Sequence, residues 1–137
     1  MDGIVWKRVK PLSQSNSLKN FEEDYGIIIP DVLKELIITN NGGRPSLDII
    51  KAADGKEVEV KALLSFNKED KENIYNVIEY FKKEFDGKIL PVATEPSGDY
   101  FCIDLTSNSI VYWEHETNVL TFIAKDFVEF LNCLYKL

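Results

Sequence analysis

The sequence predicts an α+β domain in which an antiparallel β-meander is flanked by N-terminal helices, one inserted helix and a C-terminal helix. Three observations predict this class. Apolar residues recur at helical spacing in several segments, strand-like runs fill the last third, and no repeat or linker interrupts the 137 residues. With 45% apolar residues, a chain of this length can bury one continuous core. We therefore expect residues 1–137 to form a single domain.

Two helices are predicted before residue 43. Apolar side chains recur at helical spacing over residues 17–25, and Gly26 follows where a left-handed residue would end the helix. The apolar positions of this helix are Leu18, Phe21 and Tyr25. Pro30 has the fixed φ that suits the first turn of a second helix, and the Asn-Asn-Gly-Gly run at residues 40–43 ends it. The buried stripe predicted in the second helix is Leu33, Leu36 and Ile37.

A hairpin and an inserted helix are predicted in the middle of the chain. The runs at residues 47–50 and 57–64 are strand-like, and the Asp54-Gly55 pair between them favours a tight turn. Residues 68–85 are predicted to form an amphipathic helix, because their apolar side chains fall on one face and Gly87 lies just beyond the end. That face consists of Ile74, Val77, Ile78, Phe81 and Phe85.

The last third predicts a meander and a closing helix. Short strand-like runs are separated by turn-rich residues, so antiparallel pairing of neighbours is the most economical topology. The runs cover residues 90–94, 100–105, 110–115 and 119–123. Asp126 can cap a final helix. The core residues predicted for that helix are Phe127, Phe130, Leu131 and Leu134.

Composition argues against several classes of function. The chain has 16 basic and 23 acidic residues, and its net charge of −7 would repel a nucleic-acid backbone and an anionic membrane surface. No apolar run approaches the roughly 20 residues that span a bilayer. The N-terminus also lacks a basic leader followed by an apolar stretch. We therefore expect a cytoplasmic protein that contacts neither nucleic acid nor membranes directly.

The sequence predicts no catalytic residue, metal site or cofactor. Cys102 and Cys133 are far apart in sequence and are expected to be buried free thiols in a reducing compartment. The single histidine, His115, stands between Glu114 and Glu116, which strand alternation would place on the opposite face. No zinc-ligand spacing, phosphate-binding loop or nucleophile elbow is present. We expect a histidine at the edge of the sheet, although a triad with a distant serine stays open.

Negative charge is concentrated on the meander. From residue 89 to the end there are seven acidic and two basic residues, and no Lys or Arg lies between residues 89 and 124. The acids there have no local cationic partner in sequence. Such a surface would speed the encounter with a basic protein and disfavour acidic ones, although a solvated acidic face would show the same composition.

Alternation along the strands refines this surface. If Phe101, Ile103 and Leu105 face the core, Tyr100 and Asp104 face outward or lie under a loop. An aromatic ring beside an acid can anchor a basic partner, because Tyr and Trp are common at binding hot spots. The candidate partner-binding residues are Asp99, Tyr100, Asp104, Glu114 and Glu116.

Two sequence signatures, one in each half of the chain, resemble the pattern of the SUKH superfamily, which includes bacterial immunity proteins and fungal cell-wall regulators of the Smi/Knr type. The first combines a Phe-Glu helix, a Gly, an apolar-Pro pair, a second helix and an Asn-Gly-Gly turn. It is present as Leu18, Phe21, Glu22, Gly26, Ile29-Pro30, Leu33, Leu36 and Asn41-Gly42-Gly43. The second is present as Pro91, Ala93, Gly98-Asp99, Asp104, Tyr112-Trp113, His115, Phe127, Phe130 and Leu131.

The chain departs from the family pattern at three positions. Leu33 stands where an aromatic residue is frequent, Ile29 replaces Leu before the proline, and Asp126 replaces a Ser at the start of the last helix. Each substitute keeps the physical role, apolar for apolar and cap for cap. The expected fold is therefore unchanged.

The resemblance implies an α+β domain without known catalysis. The commonest bacterial role of such a domain is to bind and neutralise a cognate toxin, often a nuclease, in the cytoplasm of the producing cell. A nuclease domain must be basic to hold phosphates, so it would suit an acidic inhibitor. Two alternatives stay open: a regulatory scaffold that binds endogenous proteins, as in the fungal relatives, and an enzyme.

Overall fold

The computed structural model describes residues 3–137, and its elements follow the predicted order except for two short paired strands, Trp6–Lys7 and Arg44–Pro45, that the sequence did not predict. The helices are α1 (Ser17–Tyr25), α2 (Asp31–Asn40), α3 (Ile78–Glu84) and α4 (Phe127–Cys133). The strands are β1 (Trp6–Lys7), β2 (Arg44–Pro45), β3 (Ile49–Lys51), β4 (Glu57–Glu59), β5 (Ala62–Leu63), β6 (Ile89–Thr94), β7 (Tyr100–Asp104), β8 (Ile110–Glu114) and β9 (Val119–Ala124). Strands β5 to β9 form one antiparallel sheet in chain order, which confirms the α+β class with a meander.

The five-stranded sheet is covered on both faces. The Phe101 ring in β7 lies 5.5 Å from the Phe130 ring in α4, and this face belongs to the main core. On the other face, Trp113 in β8 lies 5.0 Å from Phe81 in α3, within a smaller apolar cluster. Successive strand residues alternate between the faces, so the near-continuous burial of β6 to β8 follows from a helix on each side.

The N-terminal helices have their predicted bounds. Gly26 adopts a φ of +65°, and its N–H donates to the carbonyl oxygen of Glu22 at 2.9 Å, so it ends α1 as expected. The Glu22 carboxylate lies 3.2 Å from Nζ of Lys34, which ties α1 to α2. In the stripe predicted for α2, Leu33 and Ile37 are buried and Leu36 is half-buried.

The predicted hairpin exists, but its second strand ends early. β3 and β4 pair around the Asp54-Gly55 turn, while β5 pairs with β6 in the main sheet instead of continuing β4. The break lies at two adjacent residues. The N–H of Val60 donates to the carbonyl of Asp48 at 2.7 Å, and the N–H of Lys61 donates to that of Thr94 at 2.8 Å. The single strand predicted over residues 57–64 is therefore wrong, because its two halves bond to different partners.

The inserted helix is shorter than the predicted residues 68–85. The structure has a 3₁₀ turn at Ile74–Asn76 and then α3, which ends at Glu84. Residues 68–72 carry only charged side chains, so a helix there would have no apolar face to bury. Helical structure begins instead after Asn73, whose side chain accepts a hydrogen bond from the N–H of Asn76 at 3.0 Å.

The closing helix is capped as predicted. The Asp126 carboxylate accepts a hydrogen bond from the N–H of Glu129 at 2.8 Å. Cys102 is a buried free thiol, as expected, but Cys133 is exposed at the end of α4. The prediction of two buried thiols is wrong for Cys133, because Phe130 and Leu131 take the core side of the helix.

Candidate protein-binding site

Two turns of the meander lie side by side at one end of the sheet. Residues 95–99 join β6 to β7, and residues 115–118 join β8 to β9. The turns meet because Tyr100 pairs with Trp113 across the two central strands. We call this end of the sheet the acidic end. Its titratable residues are Glu95, Asp99, Glu114, His115 and Glu116.

Asp99 is the centre of hydrogen bonding at the acidic end. Its Oδ2 accepts a hydrogen bond from the Tyr112 hydroxyl at 2.5 Å, and its Oδ1 accepts one from the N–H of His115 at 3.0 Å. The same Oδ1 lies 2.5 Å from Nδ1 of His115. Burial by itself would raise the pKa of Asp99, but the hydrogen bonds from Tyr112 and His115 stabilise the carboxylate and hold that pKa below its ordinary value. Asp99 is thus a fixed negative charge that positions the residue 115 turn.

His115 stands at the edge of the sheet with 41% of its side chain exposed. The hydrogen bond to Asp99 raises the pKa of His115, partial burial lowers it by less, and the Glu116 and Glu95 carboxylates raise it further. The prediction that both flanking glutamates lie on the opposite face is wrong for Glu116, whose carboxylate lies 3.9 Å from Nε2. Because β8 ends at Glu114, strand alternation does not extend to residue 116.

The acidic end surrounds an open cavity of about 310 Å³. Its lining residues are Lys56, Ser97, Asp99, Glu114, His115, Glu116 and Thr117. Lys56 comes from the β3–β4 hairpin, so one cation does reach this acidic surface from elsewhere in the chain. The lining still carries three carboxylates against one lysine and one partly exposed histidine, which leaves it suited to a cationic group.

Most carboxylates of the acidic end are partnered by neutral donors. Glu95 accepts hydrogen bonds from the N–H and the hydroxyl of Ser97 at 2.7 and 2.6 Å. Glu114 accepts one from the Thr117 hydroxyl at 3.2 Å. The expectation that the meander acids have no local partner is therefore wrong: Asp99 and Glu116 contact the His115 ring, and Glu95 and Glu114 accept hydrogen bonds from neutral donors. Neutral donors leave the negative charge in place.

An aromatic cleft of about 260 Å³ adjoins the cavity and shares His115 with it. It lies between α3 and the sheet, and its aromatic walls are Tyr80, Phe81, Tyr100 and Trp113. The rings of Tyr100 and Trp113 lie 5.8 Å apart, and Tyr80 is 47% exposed. Burial raises the pKa of Tyr100, so its hydroxyl stays neutral. The cleft offers ring surface immediately beside carboxylates.

Asn118 joins the aromatic cleft to the acidic end. Its Oδ1 accepts hydrogen bonds from Nε1–H of Trp113 at 2.7 Å and from the Tyr80 hydroxyl at 3.0 Å. Its Nδ2 donates to Glu84 at 2.7 Å. The residue has a φ of +60°, a conformation that asparagine tolerates better than most side chains. One amide therefore fixes two rings and the end of α3 against the β8–β9 turn.

The five predicted partner-binding residues are not all brought together. Asp99, Glu114 and Glu116 line the acidic cavity, and Tyr100 lies beside them in the aromatic cleft. Asp104 lies at the other end of β7, where its carboxylate accepts hydrogen bonds from the N–H and hydroxyl of Thr106 at 2.9 and 2.6 Å. That geometry is an Asp-initiated turn into β8.

Tyr80, Asn118 and Lys56 at this site are missing from the sequence-based candidates. Tyr80 lies off the apolar stripe of the inserted helix, so periodicity assigned it to solvent. Asn118 resembles an ordinary turn residue in sequence. Lys56 precedes β4, far from the meander in sequence. Of these three residues, Asn118 alone carried a signal in the sequence, since an asparagine at a tight turn often takes the left-handed conformation and so marks a structured turn.

Within residues 3–137, no group of three or more His, Cys, Asp or Glu side chains is arranged to hold a metal ion. In that same part of the chain, none of the helices has the length and apolar character needed to cross a membrane.

Comparison with known proteins assigns the chain to a family. A curated relative, the SPbeta prophage-derived uncharacterized protein YokK of Bacillus subtilis (strain 168), is 27% identical over 66 residues. That match covers 45% of this chain and 34% of the relative, so it spans about a third of the relative's length. The family model described as SMI1-KNR4 cell-wall matches residues 15–131, which include α1 to β9 and most of α4. Because this match extends over most of the chain, the protein belongs to the SMI1-KNR4 family of the SUKH superfamily.

Proposed function

We propose that this chain is a cytoplasmic immunity protein that binds a cognate protein toxin, a basic nuclease domain, and neutralises it by direct contact. Family membership supports the immunity role, since SUKH proteins are commonly non-catalytic proteins of this type. The observation that carries the choice of a basic partner is the acidic end with the aromatic cleft beside it.

The acidic end offers a basic partner both charge and ring surface. Glu116 is exposed and Glu114 half-exposed at the rim, where Coulomb attraction raises the rate of encounter. An arginine that enters the aromatic cleft can stack on Tyr80, and such a contact contributes about 0.5 to 2 kcal/mol, depending on how far it is desolvated. A nuclease surface that holds phosphates is rich in the cations that this combination selects.

The five candidate residues would act in different ways. Glu114 and Glu116 would meet the partner's cations, and Tyr100 would form the wall of the aromatic cleft. Asp99 would position His115 rather than contact the partner. Asp104 lies roughly 16 Å along β7 from Asp99, which is within a standard interface of about 800 Å² per partner.

Co-expression with the toxin domain encoded beside its own gene tests this proposal. We expect survival of the host and a complex that co-elutes in size-exclusion chromatography. In stopped-flow mixing at low salt, Glu114→Lys combined with Glu116→Lys should slow association about tenfold or more and flatten its salt dependence. The matched control is Glu23→Lys with Glu35→Lys, which makes the same change in net charge at exposed positions of α1 and α2.

Two results would count against the proposal. Absence of both protection and complex removes the toxin as partner and favours a scaffold that binds endogenous proteins. Equal slowing by the two charge-reversal pairs would show that net charge, and not the acidic end, determines association.

A further inference from the structure

A second charged region, with the opposite sign, lies beside the edge strand β5. It is an open cleft of about 390 Å³ beside β5, which we call the basic cleft. Its lining residues are Arg8, Val9, Lys10, Gly42, Arg44, Ala62, Leu63, Ser65, Lys71 and Glu72. Four cations and one carboxylate therefore surround it, in a chain whose net charge is −7.

Among the residues that the structure describes, the four cations of the basic cleft form no ion pair. Ion pairs elsewhere in residues 3–137 engage Lys34, Lys61, Lys136 and His115, whereas Arg8, Lys10, Arg44 and Lys71 make none. The carboxylate in the lining, Glu72, is already held by Nζ of Lys61 at 2.9 Å. Like charges that gather without a counter-charge repel one another, so an anionic ligand would relieve an unfavourable arrangement.

Arg8 is in a strained backbone conformation. Its φ is +54°, in the left-handed region. The other described non-glycine residues with positive φ are Asp86, Asn108 and Asn118, which are residue types that tolerate it. A long side chain there costs roughly 1 kcal/mol or more, and such strain collects at functional sites. Arg8 is exposed and lines the cleft.

The floor beneath these cations is rigid. Asn41 is 1% exposed, and its side chain donates to the Lys10 carbonyl at 2.8 Å and to the Ser65 hydroxyl at 2.9 Å. Its Oδ1 accepts from the N–H of Phe66 at 2.9 Å. Gly42 has a φ of +69°, and a Cβ at this position would lie 3.3 Å from the Lys10 side chain. Asn41 thus ties the segment that carries Lys10 to the residues that follow β5, which pre-organises the cleft.

We propose that the basic cleft binds an acidic peptide segment, whose carboxylates pair with Arg8, Arg44, Lys10 and Lys71. Guanidinium groups form paired hydrogen bonds with carboxylates. The cations come from three separate chain segments around the rim, which suits carboxylates spread along an extended peptide better than one compact phosphate. The lining contains no aromatic ring on which a nucleobase could stack, which disfavours single-stranded nucleic acid.

This ligand is opposite in charge to the partner of the acidic end, so the inference stands apart from the proposed function. The test is an NMR titration of the ¹⁵N-labelled chain with an end-blocked octapeptide of alternating glutamate and serine. We expect amide shifts at residues 8–10, 42–44 and 71–72, and their loss at high salt. The matched glutamine-serine octapeptide should produce none.

Variants of the chain test whether the cleft itself is responsible. Arg44→Gln with Lys71→Gln should weaken peptide binding about tenfold, and the folded state is checked from the unperturbed spectrum. The control, Lys19→Gln with Lys125→Gln, makes the same change in net charge at exposed positions outside the lining. Equal weakening by both pairs would overturn the proposal, since it would mean that only net charge matters.

Two further probes decide the ligand class. Inorganic phosphate and a short oligothymidylate are titrated under the same conditions, and both should bind more weakly than the glutamate peptide. Tighter binding of either probe, or absence of peptide shifts at the named residues, overturns the assignment to an acidic peptide.

Discussion

The acidic end and the basic cleft hold their charges in opposite ways. At the acidic end, Asp99 is 14% exposed and is held by Tyr112 and His115. In the basic cleft, the cations are exposed and unpaired, and the hydrogen bonds belong to the neutral Asn41 beneath them. At the acidic end, Asp99 both carries the charge and makes the stabilising hydrogen bonds. In the basic cleft, the cations carry the charge and Asn41 makes the hydrogen bonds.

The largest effect should come from the neutral residue under the basic cleft. Asn41→Ala leaves the N–H of Phe66 without its partner and the carbonyl of Lys10 with only a 3.5 Å hydrogen bond from Asn67, and we expect a loss of about 3 kcal/mol in the free energy of unfolding. Urea denaturation measures it. The control is Asn40→Ala, whose amide donates to the neighbouring Thr39 at the surface and should cost less than about 0.5 kcal/mol. A loss below about 1 kcal/mol for Asn41→Ala would contradict a rigid floor.

Replacing the central carboxylate of the acidic end should have the next largest effect. Asp99→Asn replaces the carboxylate that accepts hydrogen bonds from Tyr112 and His115 with a neutral amide. We expect a loss of about 2 kcal/mol in the free energy of unfolding at neutral pH. Asp104→Asn changes a carboxylate that only caps an exposed turn, and it should cost about 0.5 kcal/mol. If the two variants lose equal stability, Asp99 has no special positioning role.

The contribution of the Asp99–His115 pair to the free energy of unfolding should be lost both at low pH and at high pH. The pKa of His115 is raised on folding, so its contribution is complete below about pH 6.5 and is lost as the pH rises through the folded value. The pKa of Asp99 is lowered, so its contribution is complete above about pH 4 and is lost as the pH falls through the folded value. The stability difference between the wild type and His115→Gln should therefore be largest between these limits.

An NMR titration of the His115 ring checks the cause of this pH dependence. In the wild type we expect a pKa above 6.5, and in Asp99→Asn a return toward that ordinary value. Stability of His115→Gln is compared with that of the wild type at pH 5.5 and at pH 8.5 by urea denaturation. A constant difference across this range would show that the ion pair contributes nothing.

The smallest effect should be a gain in stability from the basic cleft. Arg8→Gly removes a charge and also relieves a φ of +54°, so we expect the free energy of unfolding to rise by up to about 1 kcal/mol. Asn108→Gly, at a φ of +64° that asparagine already tolerates, should change stability by less than about 0.5 kcal/mol. Marked destabilisation by Arg8→Gly would mean that the Arg8 side chain supports the fold.

Local patterns predicted most of the fold. The meander, α1, α2 and α4 follow from alternation, helical spacing and caps such as Gly26 and Asp126, which act within a few residues. Residues 68–85 show the limit of this reasoning, because the apolar spacing begins only at Ile74 and residues 68–72 are all charged. The division of residues 57–64 between two sheets depends on partners distant in sequence.

The candidate sites were harder to predict than the fold. Grouping acids by position along the chain put Asp99, Glu114, Glu116 and Asp104 into one candidate set. The structure places the first three together, because two adjacent turns of a meander meet at one end, and Asp104 at the other end of β7. Composition does not record which end of a strand a residue occupies, and the binding role of all four stays a prediction. Such grouping misses the basic cleft, since its cations come from three segments that are far apart in sequence, and the third of them, at Lys71, lies among acids.

The positions of the two tryptophans have a practical consequence. Trp113 forms a wall of the aromatic cleft, and Trp6 in β1 lies opposite Pro45 on the strand that carries Arg44. Each region therefore has its own intrinsic fluorophore. In a Trp6→Phe protein, the fluorescence of Trp113 would report binding at the aromatic cleft. In a Trp113→Phe protein, the fluorescence of Trp6 would report binding beside β2. Binding at each region can therefore be followed separately without an added fluorescent label.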